Sequence, residues 1–273
     1  MTEAVPQNLS GTRCLVEGKD DGTPIVLIHG VGMDLFMWDA VAAELRQSYR
    51  VIRYDMQGHA GSAKPAGPYS LADYVAQLDR LSDDLKLDRF HLVGFSMGGL
   101  VAQGYAVGHP NRVDHLVVVN TVYNRTPDER AAITARVADV RNGGYPASVE
   151  AAIDRWFTPD FRRDHGATVE AVRKRMLGND LEPYANAYAV FGSADAELVE
   201  SVAEIHSPTL VITGSDDQRS TAAMARALAA RLPQGRLEII AGQRHLTPLE
   251  VPGQLAASIR NFITGPHAAR AAS

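Results

Sequence analysis

Apolar and polar positions along the first half of the chain follow two alternating patterns. Short runs rich in β-branched residues predict strands buried on both faces, because such strands are apolar throughout. These runs lie at residues 24–29, 50–55, 90–94 and 113–120. Segments with helical periodicity separate them, at residues 36–45, 70–85 and 98–108. The alternation predicts a parallel sheet with helices on both faces, with an antiparallel edge formed by a pair of strands, one near residues 12–16 and one at the start of the chain.

The pattern changes after the fourth strand-like run. Thr126, followed by a proline and then by Glu129, forms a capping box, so a helix should begin there. Helical periodicity predicts further helices over residues 146–156, 168–177 and 182–191. Strand-like runs return at residues 208–214 and 235–240, before a last helix over residues 252–263.

These patterns divide the chain into a sheet domain and an insertion. Residues 1–122 and 202–265 are predicted to form the sheet domain, and residues 123–201 are predicted to form a helical lid. The alanine-rich tail at residues 266–273 is predicted to be disordered.

The composition is that of an ordinary globular protein. The chain has 273 residues, of which 45% are hydrophobic, enough for one large α/β domain with a modest insertion. Its net charge of −5 gives no support for nucleic-acid binding. No run approaches the roughly 20 apolar residues that a membrane span needs. We therefore expect a small-molecule substrate and neither a nucleic-acid nor a membrane partner, while homo-oligomerisation stays open.

The cysteine and histidine content bears on compartment and on metal binding. Cys14 is the single cysteine, so no internal disulfide can form. Residues 1–8 show neither the basic nor the apolar region of a secretory signal. The single cysteine and this lack of a signal pattern both favour the cytoplasm. The nine histidines show no His-Glu-x-x-His or comparable spacing, so no metal site is expected.

The segment at residues 90–100 carries the main chemical signal. Ser96 stands in a Gly-x-Ser-x-Gly frame with Gly94 and Gly98, between a strand-like and a helix-like run. Three fixed positions match by chance in roughly one chain in ten of this length, and a glycine-rich turn with a surface serine gives the same letters. A sharp strand-to-helix turn, however, exposes its central side chain, and small neighbours let the two backbones pass closely. This context favours Ser96 as a nucleophile.

Candidate partners for Ser96 follow the last two strand-like runs. A serine hydroxyl needs a base, and the base needs a group that orients it and stabilises its charged form. Open parallel sheets carry such groups at the carboxyl ends of their strands, where this chain places Asp216 and Asp217 and then His245. Either aspartate fits as the orienting acid, and one of the two is expected to cap the next helix.

Two backbone amides are candidate donors for an oxyanion hole, which stabilises the charge formed when a hydroxyl attacks a carbonyl. One is the amide of Met97, at a helix N-terminus where the dipole helps. The other is expected at Val31, in the loop after the first long strand. The Gly-x-Gly in this loop does not continue as a dinucleotide motif, because Leu35 stands where the third glycine belongs. No cofactor is expected.

These motifs resemble those of the α/β-hydrolase family. The matching pieces are His29-Gly30, residues 54–62, residues 94–98, residues 214–217 and His245. The resemblance implies an α/β-hydrolase fold with a mostly parallel eight-stranded sheet. By the family's Gly-x-x-Asp pattern, it also favours Asp217 over Asp216 as the acid. The alternative acid position in such sites is occupied here by Asn120.

Within this family, the chain is similar to the 3-oxoadipate enol-lactonase group. Lid residues 155–161 resemble a run found in those lactonases, while the Gly-Phe-Ser-Met-Gly-Gly elbow is shared with cofactor-free haloperoxidase-type relatives. Trp156 and Phe157 are accordingly candidate substrate contacts, with ordinary lid packing as the alternative. The usual Asp-x-Arg-Gly-His-Gly stretch reads Asp-Met-Gln-Gly-His-Ala at residues 55–60, and the proline usual after the acid loop is absent. These departures leave the triad intact and the substrate open.

Basic side chains of the lid are candidates for recognising a substrate carboxylate, which suits the arginine fork. They are Arg125, Arg155, Arg162 and Arg163. Residues 124–200 nevertheless hold ten Lys/Arg against thirteen Asp/Glu, so the lid is not basic overall. Most of these charges are expected to lie on a solvated face.

The resemblance and the residues together predict a serine hydrolase that cleaves a small ester or lactone through an acyl-enzyme. Carbon–carbon hydrolysis, amide hydrolysis and cofactor-free haloperoxidase or perhydrolase chemistry are alternatives on the same fold. A non-catalytic ligand receptor is disfavoured by the complete triad. A dehalogenase is disfavoured because that reaction in this fold needs a carboxylate at position 96.

Overall fold

The sheet dominates the architecture. The computed structural model describes residues 5–265, so the predicted tail at 266–273 lies outside the described residues. The strands are β1 (Gln7–Leu9), β2 (Thr12–Gly18), β3 (Pro24–Ile28), β4 (Arg50–Tyr54), β5 (Phe90–Phe95), β6 (Val113–Val119), β7 (Thr209–Gly214) and β8 (Gly235–Ile240). They form one sheet in the order β1-β2-β4-β3-β5-β6-β7-β8. Strand β2 pairs antiparallel with β1 and β4, and the other pairs are parallel, so the predicted eight-stranded, mostly parallel sheet is confirmed.

Helices cover both faces of the sheet. They are α1 (Asp39–Leu45), α2 (Leu71–Asp84), α3 (Met97–Gly108), α4 (Pro127–Asp139), α5 (Tyr145–Trp156), α6 (Pro159–Asp164), α7 (Gly166–Leu177), α8 (Leu181–Leu198), α9 (Ala222–Arg231), α10 (Thr247–Glu250) and α11 (Pro252–Thr264). Helix α1 packs against α11, and α2 packs against α3. Within residues 5–265, no helix combines the length and the apolar character that crossing a membrane requires.

The core forms where apolar strands are covered on both sides. Every residue of β5 is buried, as the continuous apolar run predicts. The largest side chains with no appreciable exposure include Trp38, Tyr54, Tyr105 and Phe90. The parallel strands from β3 to β8 bring their carboxyl ends to one edge, and the loops after them carry the candidate functional groups.

The segment between β6 and β7 contains helices α4 to α8 and no strand. The predicted capping box is present: Thr126 Oγ1 accepts from the Glu129 amide at 3.2 Å, and Glu129 Oε2 accepts from the Thr126 amide at 2.8 Å. Helix α9, which the sequence analysis did not delimit, begins after Thr221, whose hydroxyl accepts from the Met224 amide. The expectation that Asp216 or Asp217 caps this helix is therefore wrong.

Candidate active site

Ser96 occupies the sharp turn between β5 and α3. Its backbone angles, φ 53° and ψ −115°, lie in a region that costs a non-glycine residue about 1–3 kcal/mol. The turn also forces small neighbours: a Cβ on Gly94 would lie 2.2 Å from the Gly98 carbonyl oxygen, and one on Gly98 would lie 2.5 Å from the His29 carbonyl oxygen. Among residues 5–265, no protein atom hydrogen-bonds to Ser96 Oγ, which faces a cavity. The hydroxyl of Ser96 is therefore free to contact a ligand in the cavity.

His245 lies on the same cavity and is bound to a buried carboxylate. Its Nδ1 is 2.7 Å from Asp217 Oδ2. Because this carboxylate accepts a hydrogen bond from Nδ1–H, the neutral imidazole leaves Nε2 without a proton. Asp216, by contrast, is exposed and accepts from the Ser215 hydroxyl, so the structure brings Asp217 and not Asp216 to the histidine.

The carboxylate of Asp217 is saturated with donors. Its Oδ1 accepts from the amides of Arg219 and Ser220, each at 3.0 Å. Its Oδ2 accepts from His245 and from Asn120 Nδ2, the latter at 2.9 Å. Burial alone would raise the pKa of Asp217, but the charge and hydrogen bond of His245, the Arg219 amide and the Asn120 amide outweigh it and hold the pKa below its ordinary value. The group is therefore kept ionised.

Asn120 ties this acid to the surrounding loops. It is fully buried at the end of β6, with φ 47°, and its Nδ2 also lies within hydrogen-bond distance of Thr213 Oγ1 and the Arg244 carbonyl. Its Oδ1 accepts from Thr247 Oγ1 at 2.7 Å. Sequence reasoning noted Asn120 only as a position that lacks an acid; the structure adds that its amide positions Asp217.

Two backbone amides near Ser96 are available to bind an oxyanion. Met97 is the first residue of α3, where N–H groups have no partner inside the helix. Val31 lies in the loop after β3 and lines the cavity. Among the hydrogen bonds within residues 5–265, none has either amide as its donor. The structure thus leaves free both donors that the sequence singled out.

His29 orients the loop that carries Val31. Its Nε2 accepts from the Met56 amide at 2.9 Å, so Nδ1 carries the proton and donates to the Gly30 carbonyl at 2.7 Å. Because the carbonyl and the following N–H of a trans peptide point in opposite directions, this bond turns the Val31 N–H away from His29. Burial lowers the pKa of His29 to about 3, which keeps this tautomer neutral. The sequence motif His-Gly marked the position, but it did not reveal this function.

The cavity above Ser96 is roofed by the segment between β6 and β7. Its lining includes Val31, Ser96 and His245 together with side chains of α4, α5, α7 and α8. Trp156 connects helix α5 to the loop after β8. Its carbonyl accepts hydrogen bonds from the amides of His245 and Leu246, and its ring stacks on the His245 ring at 5.9 Å between centroids. The predicted contact residue Trp156 therefore lies both on the cavity and against the candidate base.

The other predicted contact residues have different surroundings. Phe157 is fully buried, stacks on Phe161 at 5.3 Å and lies outside the cavity lining, which corrects the sequence-based expectation. Arg125 does line the cavity, but its Nη1 bonds Asp195 Oδ1 at 3.1 Å and the Phe191 carbonyl at 2.7 Å. The carboxylate of Asp195, which is fully buried beside Arg125, thus already provides this guanidinium with a negative partner.

The remaining basic candidates divide in the same way. Arg162 and Arg163 pair with carboxylates of the lid surface and do not line the cavity. Arg155 does line it, and so do Arg136 and Arg219, which the sequence analysis did not consider. No group of three or more His, Cys, Asp or Glu side chains within residues 5–265 is arranged to hold a metal ion.

A family profile described as the alpha/beta hydrolase family matches residues 25–258. The chain belongs to this family. The resemblance inferred from the elbow, the acid loop and His245 is thereby confirmed, and so is the fold that it implies.

Two of the similar proteins are named as hydrolases of small molecules. The chain is 31% identical over 245 residues to the (E)-2-((N-methylformamido)methylene)succinate hydrolase of Acinetobacter baylyi, covering 90% of this chain and 92% of that protein. It is also 31% identical over 235 residues to 3-oxoadipate enol-lactonase 2 of the same organism, covering 86% of each. The crystal structure of the enol-lactonase from Burkholderia xenovorans superposes with a TM-score of 0.86 at 28% identity, covering 96% of this chain and 100% of that chain.

Proposed function

We propose that this member of the family is a serine hydrolase that cleaves a small carboxylic ester or lactone. The observation that carries the proposal is the buried Asp217–His245 pair, 2.7 Å apart, on the same cavity as the strained Ser96, whose hydroxyl has no hydrogen-bond partner among residues 5–265. Such a constellation activates a hydroxyl that is otherwise a weak nucleophile. The similarity to an enol-lactonase supports the choice of ester or lactone.

In the first half of the reaction, Ser96 Oγ attacks the carbonyl carbon while His245 Nε2 takes the hydroxyl proton. Asp217 stabilises the imidazolium that results. The amides of Val31 and Met97 bind the oxyanion, where one such donor is worth about 2.7–4 kcal/mol. The tetrahedral centre then collapses, and His245 passes its proton to the departing alkoxide or enolate. The product of this half is an ester of Ser96.

In the second half, water replaces the leaving group. His245 removes a proton from the water as it attacks the acyl carbon, and then returns a proton to Ser96 Oγ as the acid departs. In a lactone the leaving oxygen stays covalently attached to the acyl chain, so ring opening and hydrolysis release a single hydroxy or keto acid. Every proton in this scheme passes through His245.

The direct test is turnover of activated esters by Ser96→Ala. The expected result is a loss of about 10³-fold or more in kcat, because only binding and the oxyanion hole remain. Ser148→Ala is the matched control, since Ser148 lines the same cavity from α5 without lying at the turn. Near-normal activity of Ser96→Ala would overturn the proposal.

A second candidate, hydrolysis of a carbon–nitrogen bond on the same residues, is favoured by one comparison. The Acinetobacter baylyi relative is named as a hydrolase of an N-methylformamido compound. A panel of enol-lactones, aryl esters and N-acyl enamines, assayed with the wild type and Ser96→Ala, separates the two candidates. The higher kcat/KM identifies the bond that the site prefers.

A further inference from the structure

The charged side chains that line the cavity are unbalanced. Four are arginines, namely Arg125, Arg136, Arg155 and Arg219, and one is a carboxylate, Glu129. The lid as a whole has more acidic than basic residues, but most of its carboxylates lie outside the cavity, so the cavity lining has an excess of positive charge.

Two of these five groups are already paired within the protein. Arg125 is held by Asp195, whose carboxylate also binds Arg130 Nη2 at 2.9 Å. Glu129 accepts from the amide and hydroxyl of Thr126 in the capping box of α4. Arg125 therefore offers no free charge to a ligand, whereas Glu129, whose donors are neutral, leaves one negative charge against the three remaining arginines.

The other three arginines have no carboxylate within ion-pair distance among residues 5–265. Arg136 donates to the Tyr188 hydroxyl at 3.0 Å, a neutral acceptor. The side chain of Arg155 forms no hydrogen bond or ion pair to another described residue, and its Nε is buried without an acceptor. Arg219 lies two residues after Asp217, at the acid loop. Three cations from three different elements thus converge on one cavity.

Arg155 carries its charge in a half-buried position without a carboxylate partner among residues 5–265. It is half-buried at the end of α5, beside Trp156. Burial, with the positive charges of Arg136 and Arg219, lowers the pKa of its guanidinium from the ordinary value. A guanidinium does not give up its proton at physiological pH, so the unfavourable charge persists until an anion binds.

We propose that Arg136, Arg155 and Arg219 form a subsite for an anion, and that the preferred ester or lactone carries a free carboxylate that binds there. The planar guanidinium fork matches a carboxylate with two parallel hydrogen bonds, and a partly buried setting strengthens them. The inference rests on the proposed function, since it places the anion and the scissile carbonyl in one cavity. It assigns recognition to Arg155 and its neighbours and not to Arg125.

The test compares esters that differ only in charge. The mono-p-nitrophenyl esters of glutaric, adipic and suberic acid are each paired with the diester whose second carboxyl is methylated. For at least one chain length, the wild type should prefer the free acid by about 10- to 100-fold in kcat/KM, the range expected for charge-assisted hydrogen bonds. Arg155→Gln should remove most of this preference, because kcat/KM should fall about 10-fold or more further for the free acid than for the methylated ester.

Arg163→Gln is the matched control, because Arg163 is an exposed lid arginine paired with Asp160 and Asp164 away from the cavity. It should retain the preference of the wild type. The circular dichroism spectrum and thermal unfolding midpoint of Arg155→Gln, compared with those of the wild type, show that the variant is folded. Equal kcat/KM for both members of every pair in the wild type overturns the subsite, and so does a preference that survives in both Arg155→Gln and Arg136→Gln. Failure of the hydrolase itself looks different, since Ser96→Ala would then turn over both members of a pair normally.

Discussion

The acid loop and the cavity wall differ in how completely their polar groups are paired. At the acid loop, both oxygens of Asp217 accept two hydrogen bonds each, and both polar atoms of Asn120 are bonded. On the cavity wall, Arg155 has no partner among residues 5–265, and Arg136 has only a tyrosine hydroxyl. Both regions are part of one site.

The difference indicates which groups are fixed in advance and which are reserved for a ligand. A saturated carboxylate loses little when substrate binds, because its partners are already in place, and it can hold His245 in one orientation. An unpaired guanidinium gains its partner only from outside the protein. The contrast between Arg125, which has Asp195, and Arg155, which has none, makes the same point within one segment.

The largest expected effect comes from replacing the fully hydrogen-bonded carboxylate of Asp217 in the acid loop. Asp217→Asn removes the charge that stabilises the imidazolium and favours the wrong tautomer of His245, so kcat/KM should fall about 10³- to 10⁴-fold. Asp216→Asn is the control, because this neighbour is exposed and its side chain bonds only Ser215 among the described residues. Steady-state kinetics on one activated ester measure both. Equal losses in the two variants would contradict the assignment of the acid.

A smaller effect is expected at His91, which is buried without an acceptor as Arg155 is, but which can lose its proton. The Nδ1 of His91 is buried with no acceptor, and burial, with nearby His115 and Arg89, lowers the pKa of His91 to about 3. The unfolded state therefore binds more protons than the folded state between pH 6.5 and 3, so this contribution to stability is complete above pH 6.5 and is lost as the pH falls. A histidine escapes its burial cost by losing its proton, whereas an arginine does not.

For His91→Phe, we expect the fall in unfolding free energy between pH 7 and pH 5 to shrink by up to about 2 kcal/mol. Urea denaturation at the two pH values measures this difference. His206→Gln is the control, since His206 is exposed. An unchanged pH dependence in His91→Phe would show that this histidine is not the source of the acid sensitivity.

The smallest effect probes the bond between Asn120 and Asp217. Asn120→Asp places a second carboxylate beside Asp217, and two adjacent carboxylates do not both ionise freely. We expect a loss of about 10-fold in kcat/KM at pH 7 and an acid limb of the pH–rate profile displaced to higher pH, because the pair of carboxylates retains a proton to higher pH than Asp217 alone. Asn124→Asp is the control, since Asn124 has a similar φ of 49° but is exposed. A uniform loss with an unshifted profile would contradict a positioning role.

Much of the fold could be predicted because its signals are local. Strands β3, β5 and β6 appear as nearly continuous apolar runs, and helix α4 begins at a capping box that spans four residues of the sequence. The turn at Ser96 needs Gly94 and Gly98 for steric reasons that any such turn shares. Helix α9 was missed although Thr221 and an alanine-rich run supply the ordinary start signal and helix formers.

The choice of acid and the contents of the cavity depend on tertiary packing. Asp216 and Asp217 are adjacent and chemically alike, so only the family's spacing favoured one of them. Arg125 and Arg155 are equally plausible anion ligands in the sequence, because the buried Asp195 that neutralises Arg125 lies seventy residues away. Arg136 and Arg219 come near Arg155 only in the folded chain.

The central claim is that Ser96 is a nucleophile activated by His245 and Asp217, and covalent labelling tests it most directly. The wild type is treated with a fluorophosphonate, digested, and analysed by peptide mass spectrometry. The account predicts a single adduct on Ser96, with labelling slowed strongly in Asp217→Asn and little in Asp216→Asn. No adduct, or an adduct on another residue with Ser96 unmodified, would contradict it.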